Sequence, residues 1–161
     1  MKGDTEVIGF LNEALRHELT TISQFWLHFR LLRQWGFDEM AHRWRRESIE
    51  DMEHADALMA RLVFLRGTPV LQKLDPLMIG DTLREVLDAD LKAVYRGRAL
   101  YREARTVADG CEDQVSKRLF DGLLDEEEDR MDFLESQIDL YDRIGDAAYG
   151  ELNARPADTT H

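Results

Sequence analysis

Residues 44–65 read WRRESIEDMEHADALMARLVFL, and the placing of charge within this stretch decides the fold. At about 100° per residue, Met40, Trp44, Glu47, Asp51, His54, Leu58, Leu62 and Leu65 fall in one band. The ends of the band are apolar and its middle is polar. The pattern is that of a long amphipathic helix from about Asp38 to Leu65, stopped by Gly67-Thr68-Pro69. A polar patch in the middle of a core-facing stripe is costly unless its charges are paired or bound to a cation.

Three further segments carry the same periodicity. From about Thr5 to Trp35, with Asp4 or Thr5 as cap, the stripe is Leu11, Leu15, Glu18, Ile22, Phe25, Phe29 and Leu32. From about Asp81 to Val107 it is Leu83, Leu87, Leu91, Val94 and Tyr101, with Asp90 at its edge. From about Glu112 to Ile144 it is Phe120, Leu123, Glu127, Met131, Leu134, Ile138 and Tyr141, with Arg130 beside Glu127. Between the second and third segments, Pro69 to Gly80 is too long for a tight turn and reads as a crossover packed along the bundle. Residues after Gly145 suit one short extra helix. The expectation is an all-α four-helix bundle with a long crossover between helices two and three and a short fifth helix. Residues 1–155 then form one domain and residues 156–161 a polar tail.

Composition narrows the function. The chain has 161 residues, 43% of them apolar, enough for one core. Its formal charge of −12 argues against nucleic-acid binding, which needs clustered Lys and Arg. No apolar run approaches a bilayer span, and the first residues contain no apolar signal stretch. The single cysteine, Cys111, excludes an internal disulfide framework and has no assigned role. A soluble cytoplasmic protein is expected.

Glu18, Asp51, His54 and Glu127 interrupt core stripes on three helices. One reading is that they meet mid-bundle around a metal, hard oxygen donors with an imidazole suiting iron. The other is a satisfied polar network within the core. Repetition on separate helices favours the metal. Of the histidines, His17 and His28 lie off the main stripe and are expected at the surface or an interface, and Asp125 to Asp129, apart from Glu127, is expected to be a solvated face.

With these positions in view, the sequence resembles bacterioferritin, the haem-containing branch of the ferritin superfamily. The opening Met-Lys-Gly-Asp, the Asn12, Glu18 and Gln24 of the first helix, Glu47-Ser48-Ile49, Met52, His54-Ala55-Asp56 and Asp125-Glu126-Glu127 carry the resemblance, from Met1 to about Leu152. It implies a ferritin-like fold, a cytoplasmic cage of 24 subunits storing ferric mineral, and a ferroxidase site of six ligands. Glu18, His54 and Glu127 stand at matching positions. Asp51 replaces a Glu, Val94 stands where the third helix should supply a Glu, Arg130 stands where the fourth should supply a His, and a neighbouring Tyr is Phe25. Two ferrous ions bring four positive charges, against three carboxylates and one guanidinium that cannot deprotonate. Arg130 is expected to bridge Glu127 and Glu18 or Asp51 and to exclude a dinuclear metal centre. Asp90, a turn before Val94, is a weak substitute for the missing Glu. Arg46, where other members have His, and Glu50 are placed on the inward side of helix two.

The resemblance also assigns Met52 as an axial ligand to haem b, one haem per two subunits, held by the same Met from both chains across a two-fold axis. Leu19, Ile22, Ser23, Trp26 and Ile49 form the surrounding flank. Outside that motif, a Met here would simply fill a helix interface. The implied reading is a haem-binding subunit with a degenerate ferroxidase centre, co-assembling with a ferroxidase-competent subunit and served by an electron donor such as a ferredoxin. The alternatives are a homopolymeric ferroxidase with a reduced or mononuclear iron site at Glu18, Asp51, His54 and Glu127, and a haem protein that stores no iron.

Overall fold

A computed structural model describes residues 1–157. Five helices follow in chain order: α1 (Thr5–Gln34), α2 (Asp38–Phe64), α3 (Leu83–Gly110), α4 (Gln114–Ile144) and α5 (Asp146–Asn153). Among the described residues there is no strand. The four-helix bundle, its crossover and its short fifth helix are those the sequence predicts. No helix is long and apolar enough to cross a membrane. Of the expected polar tail, residues 158–161 lie outside the described residues.

Local chemistry sets the helix ends. Asp4 accepts the Glu6 N–H at 2.8 Å, so it rather than Thr5 caps α1. Thr82 caps α3 and Asp113 caps α4. α3 runs about one turn past the expected Val107, ends at Gly110 with Cys111 as its cap, and the chain turns at Glu112, whose φ is 59°. Gly145, at φ 88°, ends α4 in a backbone state that favours glycine.

The core divides into two apolar clusters along the bundle. One contains Leu11, Leu15, Leu58, Leu62, Tyr101 and Phe120. The other contains Phe25, Phe29, Trp44, Leu87, Val94 and Leu134. Glu18, Asp51 and Glu127 are buried between them, with Arg130.

A polar stripe on α1 straps the crossover to the bundle. Asn12 takes the Val70 N–H and donates to the Thr68 carbonyl, Thr20 takes the Asp75 N–H, Gln24 the Met78 N–H and His28 the Gly80 N–H. These residues recur at multiples of four, so they share one face. A segment without helix or strand thereby has four of its backbone donors paired, the buried Gly80 N–H among them. This overturns the expectation for His28: it is fully buried, because its two ring nitrogens tie Gly80 to Asp90.

Candidate functional site

The interrupted stripes converge as their spacing implies. Glu18 on α1, Asp51 and His54 on α2, and Glu127 and Arg130 on α4 form one polar cluster in the bundle interior. His54 Nδ1 lies 2.8 Å from Glu18 Oε1 and 3.4 Å from Asp51 Oδ1. Its Nε2 pairs with Glu126, so this acidic residue, expected only to be solvated, caps the outer side of the cluster. Burial opposes a charge on His54, but the hydrogen bonds to Asp51 and Glu18 outweigh it and raise the pKa to about 10. Glu18 is pushed up to about 7 by burial and by the Asp51 charge.

Arg130 fills the far side. Nη1 donates to Asp51 Oδ1 at 2.5 Å, Nε pairs with Glu47 Oε2 at 2.5 Å, and Nη2 reaches the Glu47 carbonyl at 3.2 Å. Glu50 lies 3.5 Å from Nη2. The guanidinium therefore reaches Asp51, one of its expected partners, but bridges it to Glu47 on the same helix rather than to Glu127. Glu47, also on the polar band of α2, adds a fourth carboxylate beside Glu18, Asp51 and Glu127; its side chain is only 13% exposed, and it matches the Arg130 charge locally. Asp51 also accepts the Thr21 hydroxyl at 2.8 Å. Burial alone would raise its pKa, but the Arg130 charge and these hydrogen bonds bring it below the ordinary carboxylate value.

Val94 is 1% exposed and packs in the apolar cluster with Phe25, Leu87 and Leu134, offering no donor. Phe25 lies under the guanidinium, its ring centre 5.5 Å from Cζ. Asp90 does not replace the missing oxygen. Its carboxylate accepts from Gln24 (2.8 Å), His28 (2.9 Å) and Trp44 (2.6 Å) in a separate buried network.

His17 corrects the sequence reading most sharply. It is 2% exposed, not at the surface, and its Nε2 lies 3.2 Å from Glu127 Oε1. Gly97 on α3 makes this possible: an added Cβ there would fall 2.4 Å from His17 Nε2. Tyr101 stands edge-on to the His17 ring, 5.8 Å between centroids. Its hydroxyl pKa is raised well above the ordinary value by burial and by the Glu18 and Glu127 charges. The clue available in the sequence was the adjacency of His17 to Glu18, which turns the imidazole toward α3 while the carboxylate faces α2.

Met52 faces away from this cluster. It is 49% exposed, beside Trp26 at 40% and Ile49 at 39%. Leu19, Ile22 and Ser23 are half-buried along the same outer junction of α1 and α2. The Ser23 hydroxyl donates to its own helix at Leu19 O (3.1 Å), which leaves the patch more apolar than its sequence.

The ferritin-like domain family matches residues 8–144. Bacterioferritin of Brucella melitensis is 52% identical over 158 residues, covering 98% of each chain. That of Rhodobacter capsulatus is 54% identical over 158 residues, again covering 98% of each. This chain belongs to the bacterioferritin family. Bacterioferritins are iron-storage proteins, and the backbone agrees with one closely: the solved Rhodobacter capsulatus bacterioferritin superposes with a TM-score of 0.98, covering 99% of this chain and 100% of that one. That structure is described as having a metal-free dinuclear site and haem iron in a crystallographic special position.

Proposed function

We propose that this chain is a haem-binding subunit of a 24-subunit cytoplasmic iron-storage cage whose internal centre does not oxidise iron. The observation that carries the reading is the buried Arg130 guanidinium on Asp51 and Glu47. Arginine stays charged at any accessible pH and so repels a cation brought to the same carboxylates. Val94 adds no donor on the facing helix. A dinuclear ferrous centre does not fit these residues, and ferroxidase activity is assigned to a second, complete subunit in mixed cages.

The residues around Met52 do fit haem. They supply an exposed thioether, flat apolar flanks from Trp26, Ile22, Leu19 and Ile49, and a surface that a single bundle leaves wet. A two-fold axis through this surface would let Met52 of both subunits hold the same haem. Bound haem supplies a one-electron carrier between an outside donor such as a ferredoxin and stored ferric iron, favouring ferrous release. The excess of acidic residues suits a wall that concentrates ferrous ions.

A second reading, a homopolymer with a mononuclear iron site, draws on the proximity of Glu18, Asp51 and His54, which offer ligand atoms within 4.8 Å of one another. The cage of this chain alone separates the two. Ferrous oxidation at the spontaneous rate, with a haem absorption band present, is expected. Oxidation clearly above that rate overturns the inactive centre, and a cage lacking the band overturns the haem assignment.

A further inference from the structure

We infer that His17, Glu18 and Glu127 form a binding site for a single divalent transition-metal ion, displaced from the Asp51–Arg130 half of the cluster toward α3. The three residues offer ligand atoms within 4.8 Å of one another, and all three are buried. His17 Nε2 and Glu127 Oε1 are 3.2 Å apart. Two ligands each about 2.0–2.1 Å from a tetrahedral ion stand about 3.3 Å from each other, so this pair is already spaced to share one. Glu18 closes the set with a small side-chain swing. Its Oε1 is held by His54, whereas its Oε2 is 3.4 Å from the Thr21 hydroxyl, which lies closer to Asp51.

Two observations separate this cluster from an ordinary core ion pair. Glu127 Oε2 and the Tyr101 hydroxyl are both buried without a hydrogen-bond partner. Buried polar atoms are seldom left so. Tyr101 is 0% exposed and stands edge-on to the His17 ring, 5.8 Å between centroids. Gly97 provides the space: a Cβ there would fall 2.4 Å from His17 Nε2 and 2.9 Å from Glu127 Cδ.

The charges balance for one ion. Glu18 and Glu127, both ionised when the ion binds, supply two negative charges that neutralise a divalent cation, any proton on Glu18 leaving to solvent, while Arg130 remains paired with Asp51 and Glu47. One imidazole with two carboxylates suits zinc, cobalt or ferrous iron rather than magnesium or calcium, which favour all-oxygen sets. Binding replaces the proton that His17 and Glu127 share, and that proton leaves to solvent. The inference rests on the proposed function in one respect: Arg130 must hold the other half of the cluster closed to metal.

Cages stripped of metal and titrated with Co²⁺ test it, because low-coordinate cobalt absorbs strongly in the visible whereas cobalt on surface carboxylates is nearly colourless. The band should saturate at one ion per subunit. It should fall at least tenfold in His17→Ala and in Glu127→Gln, and persist in His54→Gln, with cage size checked for each. Zinc-soaked crystals of the unaltered protein give a readout independent of variant folding: one anomalous peak between His17 Nε2 and Glu127 Oε1. The inference fails if no band and no peak form, if the band is indifferent to His17, or if His54→Gln abolishes it, which puts the ion on Glu18, Asp51 and His54. Two peaks per subunit overturn the inactive centre as well; absence of any peak leaves that reading standing.

Discussion

Arg130 Nη1 stands 2.5 Å from Asp51 Oδ1, joining α4 to α2 through a buried ion pair where the family resemblance implies a shared metal. The guanidinium is 7% exposed and Asp51 is fully buried. Neither charge has water to fall back on, so the pair is costly to break from one side.

Arg130→Met should lower the unfolding free energy by about 3–5 kcal/mol, because Asp51 and Glu47 keep their burial and lose their counter-charge. Denaturant melts of the cage, read by circular dichroism at fixed subunit concentration, measure it. A loss below about 1 kcal/mol would mean that Thr21, His54 and Arg43 already satisfy the two carboxylates.

The triple variant Val94→Glu, Arg130→His and Asp51→Glu should oxidise ferrous iron well above the spontaneous rate. Each single change should remain inactive, since one restored ligand leaves either the guanidinium or the missing oxygen in place. Stopped-flow absorbance of ferric products is the assay. An inert triple variant that still assembles would show the site to be wrongly located.

Met52→Leu should remove the haem absorption band while leaving cage size unchanged. Its stability should move by no more than about 0.5 kcal/mol, as expected of a half-exposed surface position. A band of undiminished intensity would remove Met52 as the ligand.

Gly97→Ala should destabilise the subunit by about 1–3 kcal/mol, because the new methyl meets the His17 ring at 2.4 Å and Glu127 Cδ at 2.9 Å. Combining it with His17→Ser should recover part of that loss. Purely additive effects in this double-mutant cycle would show that the imidazole does not define the space at Gly97.

Asp113 governs a pH effect at the start of α4. It accepts from Ser116 N (3.0 Å), Ser116 Oγ (2.7 Å) and Arg61 Nη2 (2.7 Å). Burial alone would raise its pKa, but these hydrogen bonds hold it below the ordinary 3.8. A depressed carboxylate stabilises fully above its unfolded value and loses that contribution as pH falls through the folded one. Asp113→Ala should cost about 1–2 kcal/mol at neutral pH. The gap in Tm from the parent protein should narrow on acidification below about pH 4. A gap independent of pH would remove the carboxylate charge from the cap.

The bundle was legible because its helices are long and strongly periodic. Glu18, Asp51, His54 and Glu127 declared themselves as polar breaks in apolar stripes. His17 and His28 did not, because a residue off the main stripe is either exposed or turned to a second neighbour, and periodicity carries no information about which. His28 is buried by the crossover, a segment with no period of its own, and His17 by the absence of a side chain at Gly97. Periodicity places Glu47 on the polar band of α2, but its pairing with Arg130 depends on how α2 and α4 are rotated against each other.

By itself, the sequence determined the helices, the crossover and the four polar interruptions, since each follows from spacing along one chain, while its motifs carried the family resemblance. Only the tertiary structure decided who pairs with whom: Arg130 with Asp51 and Glu47, His17 with Glu127, and Asp90 with His28 in a network apart from the others. The physical reason is range. Helical periodicity fixes the face a side chain occupies, whereas a hydrogen bond between helices depends on axial rotation and depth to within a few tenths of an ångström, which packing of the whole core sets.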